Sequence, residues 1–324
     1  MLTAETMDMY GLTKDWHAAG FYETDNHRQI QRAVRSALSS GRLIAITGPV
    51  GVGKTVFLYR LQDEIAKEGK VIVARSLAVD KARATVPTLI TALFYDLSRD
   101  KEPKIPGQGE KRERELQKLI RRAKKPVALF IDEAHDLHGK TLNGLKRLME
   151  VVEHDGGVLS VILVGHPKLK NDLRRPVMEE IGYRTDVLTF EGLAGETRTY
   201  LDWLLRQCAA EDVDSHAMIE ADALDFLAEH LTTPLQLAEH LTRAFDEGFR
   251  LGQKPITRDV VAATLSPQFD DLEPRLTRNG YSTRSLAEQF HAKPAEIRRF
   301  LTGQLDPDRT RELADQMRAA GLPL

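Results

Sequence analysis

Gly48-Pro49-Val50-Gly51-Val52-Gly53-Lys54-Thr55 decides how this chain is read. An apolar run, Leu43–Thr47, precedes it, and a helix-like run, Val56–Ile65, follows. Strand, glycine loop and helix is the setting a phosphate-binding loop needs. Glycines let successive backbone N–H groups turn toward an anion. The start of the next helix adds unpaired N–H groups and the positive end of a dipole. The expected phosphate-binding residues are therefore Gly48, Pro49, Val50, Gly51, Val52, Gly53, Lys54, Thr55 and Val56. Lys54 is expected to reach the β- and γ-phosphates, and the Thr55 hydroxyl to hold Mg²⁺.

Val127-Ala-Leu-Phe-Ile131 followed by Asp132-Glu133-Ala134-His135 is the second chemical motif. Five apolar residues in a row fit a strand buried on both faces. Two carboxylates then stand at its C-terminal end, where open α/β sheets bind ligands. Asp132 is expected to hold Mg²⁺, directly or through water, and Glu133 to orient and polarise an attacking water. The run Val158–Val164 reads as a further buried strand, ending at Gly165-His166-Pro167. That end places His166 beside the γ-phosphate and the water. An arginine just ahead of the strand-like Thr185–Phe190 can reach the nucleotide of a neighbouring subunit. Arg184 is the first choice, with Arg174 and Arg175 as alternatives. The expected catalytic residues are Glu133, Lys54, Arg184 and His166.

Strand, helix and strand alternate from Gly41 to Glu191, which argues a parallel sheet with covering helices. Residues 1–40 read as an N-terminal helical segment, in which Phe21 and Tyr22 are candidates to meet a base or simply to pack. From Gly192 the pattern changes to short amphipathic helices without strands. The expected division is 1–40, an α/β core over 41–191, a helical lid over 192–265, a linker over 266–274 and a C-terminal helical module over 275–324. In the tail, Ser282–Phe290, a break at His291–Lys293 and Pro294–Leu301 fit a helix-turn-helix, with Ala287 and Ile297 in its core and Arg298 and Arg299 on its second helix. From Leu272 onward there are nine basic and seven acidic residues, which is weak support for DNA reading.

The 324 residues suffice for a large domain and a smaller one, and 46 Lys+Arg nearly cancel 48 Asp+Glu. Any basic surface must therefore be local. One cysteine, Cys208, excludes an internal disulfide framework, and no Cys/His spacing suits zinc. The longest apolar runs are too short to span a bilayer. The reading is a cytoplasmic protein of a reducing compartment, with no membrane association.

The phosphate loop Gly48–Thr55, Phe130-Ile-Asp-Glu-Ala-His135, Leu163-Val-Gly-His-Pro167 and Thr232-Thr-Pro-Leu-Gln-Leu237 together resemble the AAA+ ATPases, over residues 20–265. More narrowly they look like the transposition regulators that include TnsC, TniB, MuB and IstB, and the related ExeA-type ATPases. The resemblance implies ATP and Mg²⁺ as cofactors and slow, regulatory ATP hydrolysis. It implies rings or filaments on duplex DNA, and recruitment of a transposase, with or without a target-selection adaptor. It also nominates Lys81, Arg83, Lys104, Lys111 and Arg112 as DNA contacts. One departure stands out. Many AAA+ lids carry an arginine that senses the γ-phosphate near the start of the helix beginning at Pro234, whereas these positions are Leu235 and Gln236. That implies a lid less tightly coupled to hydrolysis, or coupled through a neighbour. The other readings are an ExeA-like secretion-linked ATPase, an initiator- or loader-type ATPase that remodels DNA, and a nucleotide-gated adaptor that never touches DNA.

Overall fold

Strands β1 (Leu43–Thr47), β2 (Ile72–Arg75), β3 (Val127–Ile131), β4 (Leu159–Gly165) and β5 (Thr185–Thr189) form one parallel sheet in the order β2-β3-β4-β1-β5. The structure is a computed structural model and describes residues 1–76, 84–98, 100, 102–174, 178–182, 185–193, 195–265 and 272–324. Lys81, Arg83, Arg175, Arg184 and most of the expected linker lie outside the described residues.

The helices are α1 (Ala4–Tyr10), α2 (Asp25–Ala37), α3 (Lys54–Glu68), α4 (Val86–Leu97), α5 (Gly109–Ala123), α6 (Gly139–His154), α7 (Pro167–Leu173) and α8 (Glu179–Gly182). They continue with α9 (Thr197–Cys208), α10 (Ala221–His230), α11 (Pro234–Leu251), α12 (Arg258–Thr264), α13 (Leu272–Arg278), α14 (Thr283–Gln289), α15 (Pro294–Leu301) and α16 (Pro307–Ala319). No helix among the described residues is long and apolar enough to cross a membrane.

The chain divides into two compact units. The sheet unit comprises His27–Pro49, Lys54–Phe190 and Leu276–Leu324. Every residue of β1, β3 and β4 is buried, as expected of strands covered on both faces. Leu89, Ile90 and Leu93 of α4, Leu116 and Ile120 of α5, and Leu145 and Leu148 of α6 pack on the sheet at helical spacing. The register sets the strand ends side by side. Thr47 pairs with Gly165 across β1 and β4, and Ile131 pairs with Leu163 across β3 and β4. The loops after β1, β3 and β4 therefore leave one edge of the sheet together.

Residues 276–324 belong to the same unit. Leu286, Ala287, Ile297 and Phe300 are buried where α14 meets α15, while Arg298 and Arg299 are exposed. Ala287 and Ile297, whose spacing suggests a helix-turn-helix, are thus both buried in a packed helix pair. Lys168 N–H donates to Asn279 O at 3.3 Å, and Asn171 Nδ2 donates to the Tyr281 hydroxyl. These bonds hold the tail to α7, the helix that follows β4.

The helical unit comprises Met1–Asn26, Val50–Gly53 and Glu191–Arg275. Its core joins Tyr10 and Trp16 to Leu201, Leu204, Leu224, Leu241 and Phe245. Tyr10 and Trp16 meet the Phe245 ring with centroids 4.7 and 5.1 Å away. Tyr22 packs against Tyr200 and Trp203 and donates to Glu196 Oε2, so its role here is packing. Cys208 is fully buried, and burial pushes its thiol up to about 11, as befits a packing residue.

Candidate nucleotide site

Lys54 opens α3 and is almost wholly buried. Its ammonium donates to Gly48 O and Pro49 O, both at 2.8 Å, which uses two of its three donors. Burial lowers its pKa, and the nearby Glu133 and Asp132 carboxylates act the other way. The next residue, Thr55, donates its hydroxyl to Asp132 Oδ2 at 2.8 Å. A loop after β1 and a strand end after β3 are thus joined 77 residues apart in sequence.

Asp132 Oδ1 accepts the Glu133 N–H at 2.9 Å. Glu133 itself has φ 53° and ψ 36°, a left-handed conformation unusual for a residue with a Cβ. That turn ends the strand abruptly and redirects the Glu133 carboxylate toward two histidines. His135 Nδ1 lies 3.3 Å from Glu133 Oε2, and His166 Nε2 lies 3.8 Å from the same oxygen. The two imidazoles stack with centroids 3.8 Å apart. Burial pushes both rings down to about 4, so both are neutral at pH 7. A carboxylate beside two neutral imidazoles is a proton-accepting cluster at the sheet edge. His135 had no assigned role in the sequence reading. Its signal was its place two residues after Glu133, in a turn that brings it back under His166.

Residues 35–173 match the family model described as AAA domain. The parallel sheet and its covering helices match AAA+ phosphate-loop domain structures in fold. The solved structure of Cdc6p from Pyrobaculum aerophilum is similar to this chain with a TM-score of 0.55. It is 15% identical and matches over 97% of this chain and 90% of that one. The structure of Drosophila ORC bound to DNA is similar with a TM-score of 0.54 at 11% identity, over 97% of this chain and 83% of that one. At these identities the likeness is one of fold. No curated protein matches the chain.

The tail adds a feature to this site that no local sequence pattern shows. Gly280 has φ +88°, and a Cβ built on it would lie 2.7 Å from His166 Cβ and 2.8 Å from His166 Nδ1. The loop between α13 and α14 therefore rests directly on the His166 ring. Gly280→Ala is expected to lower stability by roughly 1–3 kcal/mol through overpacking, on top of the left-handed strain. Urea unfolding of the full chain measures it. A change below about 0.5 kcal/mol would mean that the loop moves aside freely.

Of the remaining candidates, Lys104 and Lys111 are exposed and Arg112 is half-buried. Arg174 caps the C-terminus of α7 and is exposed. In the helical unit, α11 begins with a capping box. Thr233 Oγ1 accepts the Gln236 N–H at 3.3 Å, and Gln236 Oε1 accepts the Thr233 N–H at 3.2 Å. Gln236, where many AAA+ lids have an arginine, thus spends its side chain on the helix start. Leu235 N–H donates to Gly51 O at 3.2 Å, which ties the first turn of α11 to the glycine loop.

Proposed function

We propose that the chain is an ATP-hydrolysing switch that assembles on duplex DNA and there engages a transposase. The observation that carries the reading is the meeting of Lys54, the Thr55–Asp132 pair and Glu133 where β1 and β3 end. In it, residues 48–56 would hold the triphosphate, chiefly through backbone N–H groups (Pro49 has none), and the remaining Lys54 donor would serve the β- and γ-phosphates. The Thr55 hydroxyl and Asp132 carboxylate, 2.8 Å apart, are the hard oxygen donors that Mg²⁺ prefers. Mg²⁺, when bound, offsets charge on the phosphates. Glu133 orients the attacking water and accepts its proton, and His166 stands beside it as a neutral polar group. Arg184 is the arginine assigned to reach a neighbouring subunit's phosphates, with Arg174 and Arg175 as the alternatives.

DNA and transposase enter through the motifs shared with the transposition regulators. Lys81, Arg83, Lys104, Lys111 and Arg112 are the residues assigned to the phosphate backbone. A second reading, an initiator- or loader-type ATPase, draws support from the Cdc6p and DNA-bound ORC structures, which match over nearly the whole chain, tail included.

The experiment is binding of the full chain to random-sequence duplex DNA with ATP and Mg²⁺, titrated in salt. Binding that needs ATP and falls steeply with salt is expected. No binding at low salt would remove both DNA readings and leave the nucleotide-gated adaptor. Stimulation of hydrolysis by a transposase encoded alongside favours the first reading. DNA binding without such stimulation favours the second.

A further inference from the structure

We propose that Glu133, His135 and His166 form a site for a zinc-class divalent transition metal, distinct from the oxygen pair Thr55–Asp132. The consequence for hydrolysis rests on the reading of Glu133 as the proton acceptor. The metal site itself does not.

One donor atom from each of the three residues lies within 4.8 Å of the other two. Glu133 Oε2 is 3.3 Å from His135 Nδ1 and 3.8 Å from His166 Nε2. Both separations exceed the usual hydrogen-bond range. Donors held about 2.0–2.2 Å from one tetrahedral ion stand about 3.3–3.6 Å apart. The 3.3 Å spacing matches such an edge, and on binding the stacked rings turn apart to aim both nitrogens at one ion.

The His135 side chain is only 9% exposed, and its Nδ1 has no hydrogen-bond partner among the described residues. On the far side of the ring, Nε2 lies 3.7 Å from Asp136 Oδ1. Asp136 thus stands on the side from which a carboxylate orients a metal-ligating histidine, though beyond hydrogen-bond distance here. The Glu133 carboxylate that faces His135 Nδ1 is half-exposed, so an ion entering from solvent can meet both donors.

Donor type separates this site from the Mg²⁺ pair. Two imidazole nitrogens and one carboxylate suit Zn²⁺, Co²⁺ or Ni²⁺, whereas Mg²⁺ takes oxygen. Gly280 packs on the Cβ and Nδ1 side of His166, and Nε2 is the ring nitrogen near Glu133. An open cleft of about 720 Å³ is lined by His135 and His166 together with His138, Lys168, Tyr281 and Glu288, and gives a path to both imidazoles. The charge of Lys168 is offset by Asp172 at 2.6 Å. A metal held here engages the carboxylate that hydrolysis needs, so transition-metal binding switches hydrolysis off while Mg²⁺ supports it.

The test uses the untagged full chain with Mg²⁺ present and Co²⁺ as the probe. One equivalent is expected to bind with the strong visible absorption of four-coordinate cobalt, and Zn²⁺ to displace it. Glu133→Gln and His166→Ala are each expected to weaken binding at least tenfold. Circular dichroism checks that they fold, and His166→Asn replaces the alanine variant if it does not. No cobalt uptake at micromolar protein, or uptake equal in wild type and both variants, overturns the site. Micromolar Zn²⁺ is expected to cut wild-type ATP turnover at least tenfold, and the remaining turnover of the His166 variant to lose that sensitivity. Turnover indifferent to Zn²⁺ in a chain that binds cobalt overturns the inhibition. A chain that binds cobalt but hydrolyses no ATP sinks the ATPase reading and leaves the site standing.

Discussion

Glu133→Gln is expected to slow ATP hydrolysis by about a hundredfold or more while ATP binding persists. General-base catalysis contributes about 10²–10⁴ in rate, and glutamine keeps the shape of glutamate without its proton affinity. The left-handed backbone at Glu133 accommodates either residue at similar cost. The groups assigned to hold the nucleotide, Lys54, Thr55 and Asp132, are bonded to the loop and to one another and stay in place. Steady-state phosphate release gives the rate, and titration with a fluorescent ATP analogue gives the affinity. Sedimentation with ATP and DNA is expected to find the assembled form trapped. Turnover within tenfold of wild type would take the role away from Glu133. An ATP-bound monomer would contradict the switch.

Gly51→Ala is expected to damage the loop more than its single methyl group suggests. Gly51 has φ +83°, where a Cβ costs roughly 1–2 kcal/mol. The new atom would also lie 2.7 Å from Leu235 Cβ and 3.1 Å from Thr233 Oγ1, at the capped start of α11. Forcing it in costs roughly 1–3 kcal/mol more, or drives the loop and the helix start apart. Gly53→Ala is the reference, because φ there is +97° and nothing lies within 4 Å of its Cβ. Thermal melts are expected to rank Gly51→Ala well below Gly53→Ala, and nucleotide titration to show weaker binding. Equal melting temperatures would mean that the contact with Leu235 contributes nothing.

Residues 276–324 cover His166 and hold α7, so deleting them would disturb the sheet unit itself. Substituting the exposed Arg298 and Arg299 probes a tail–DNA contact without uncovering the site.

Much of the fold was legible in the sequence because its signals are local. The runs at Leu43, Val127 and Val158 are continuous apolar stretches, and each became a strand to within a residue. Gly48–Thr55 and Asp132-Glu133 carry their chemistry in adjacent residues, so no contact map was needed to pick them out. The lid glutamine was legible only as a departure from a pattern. Its capping box with Thr233 gives the departure a physical reason, since one side chain cannot both close a helix start and reach a phosphate.

What the sequence by itself determined is the strand–loop–helix chemistry, because glycine conformation, apolar periodicity and neighbouring functional groups act over a few residues. Only the tertiary structure decided that Thr55 meets Asp132, that His135 stacks on His166, and that Gly280 closes over His166. Each of these joins parts of the chain far apart in sequence. Strand register and the packing of the tail on α7 bring them within contact distance, and no local pattern encodes that approach.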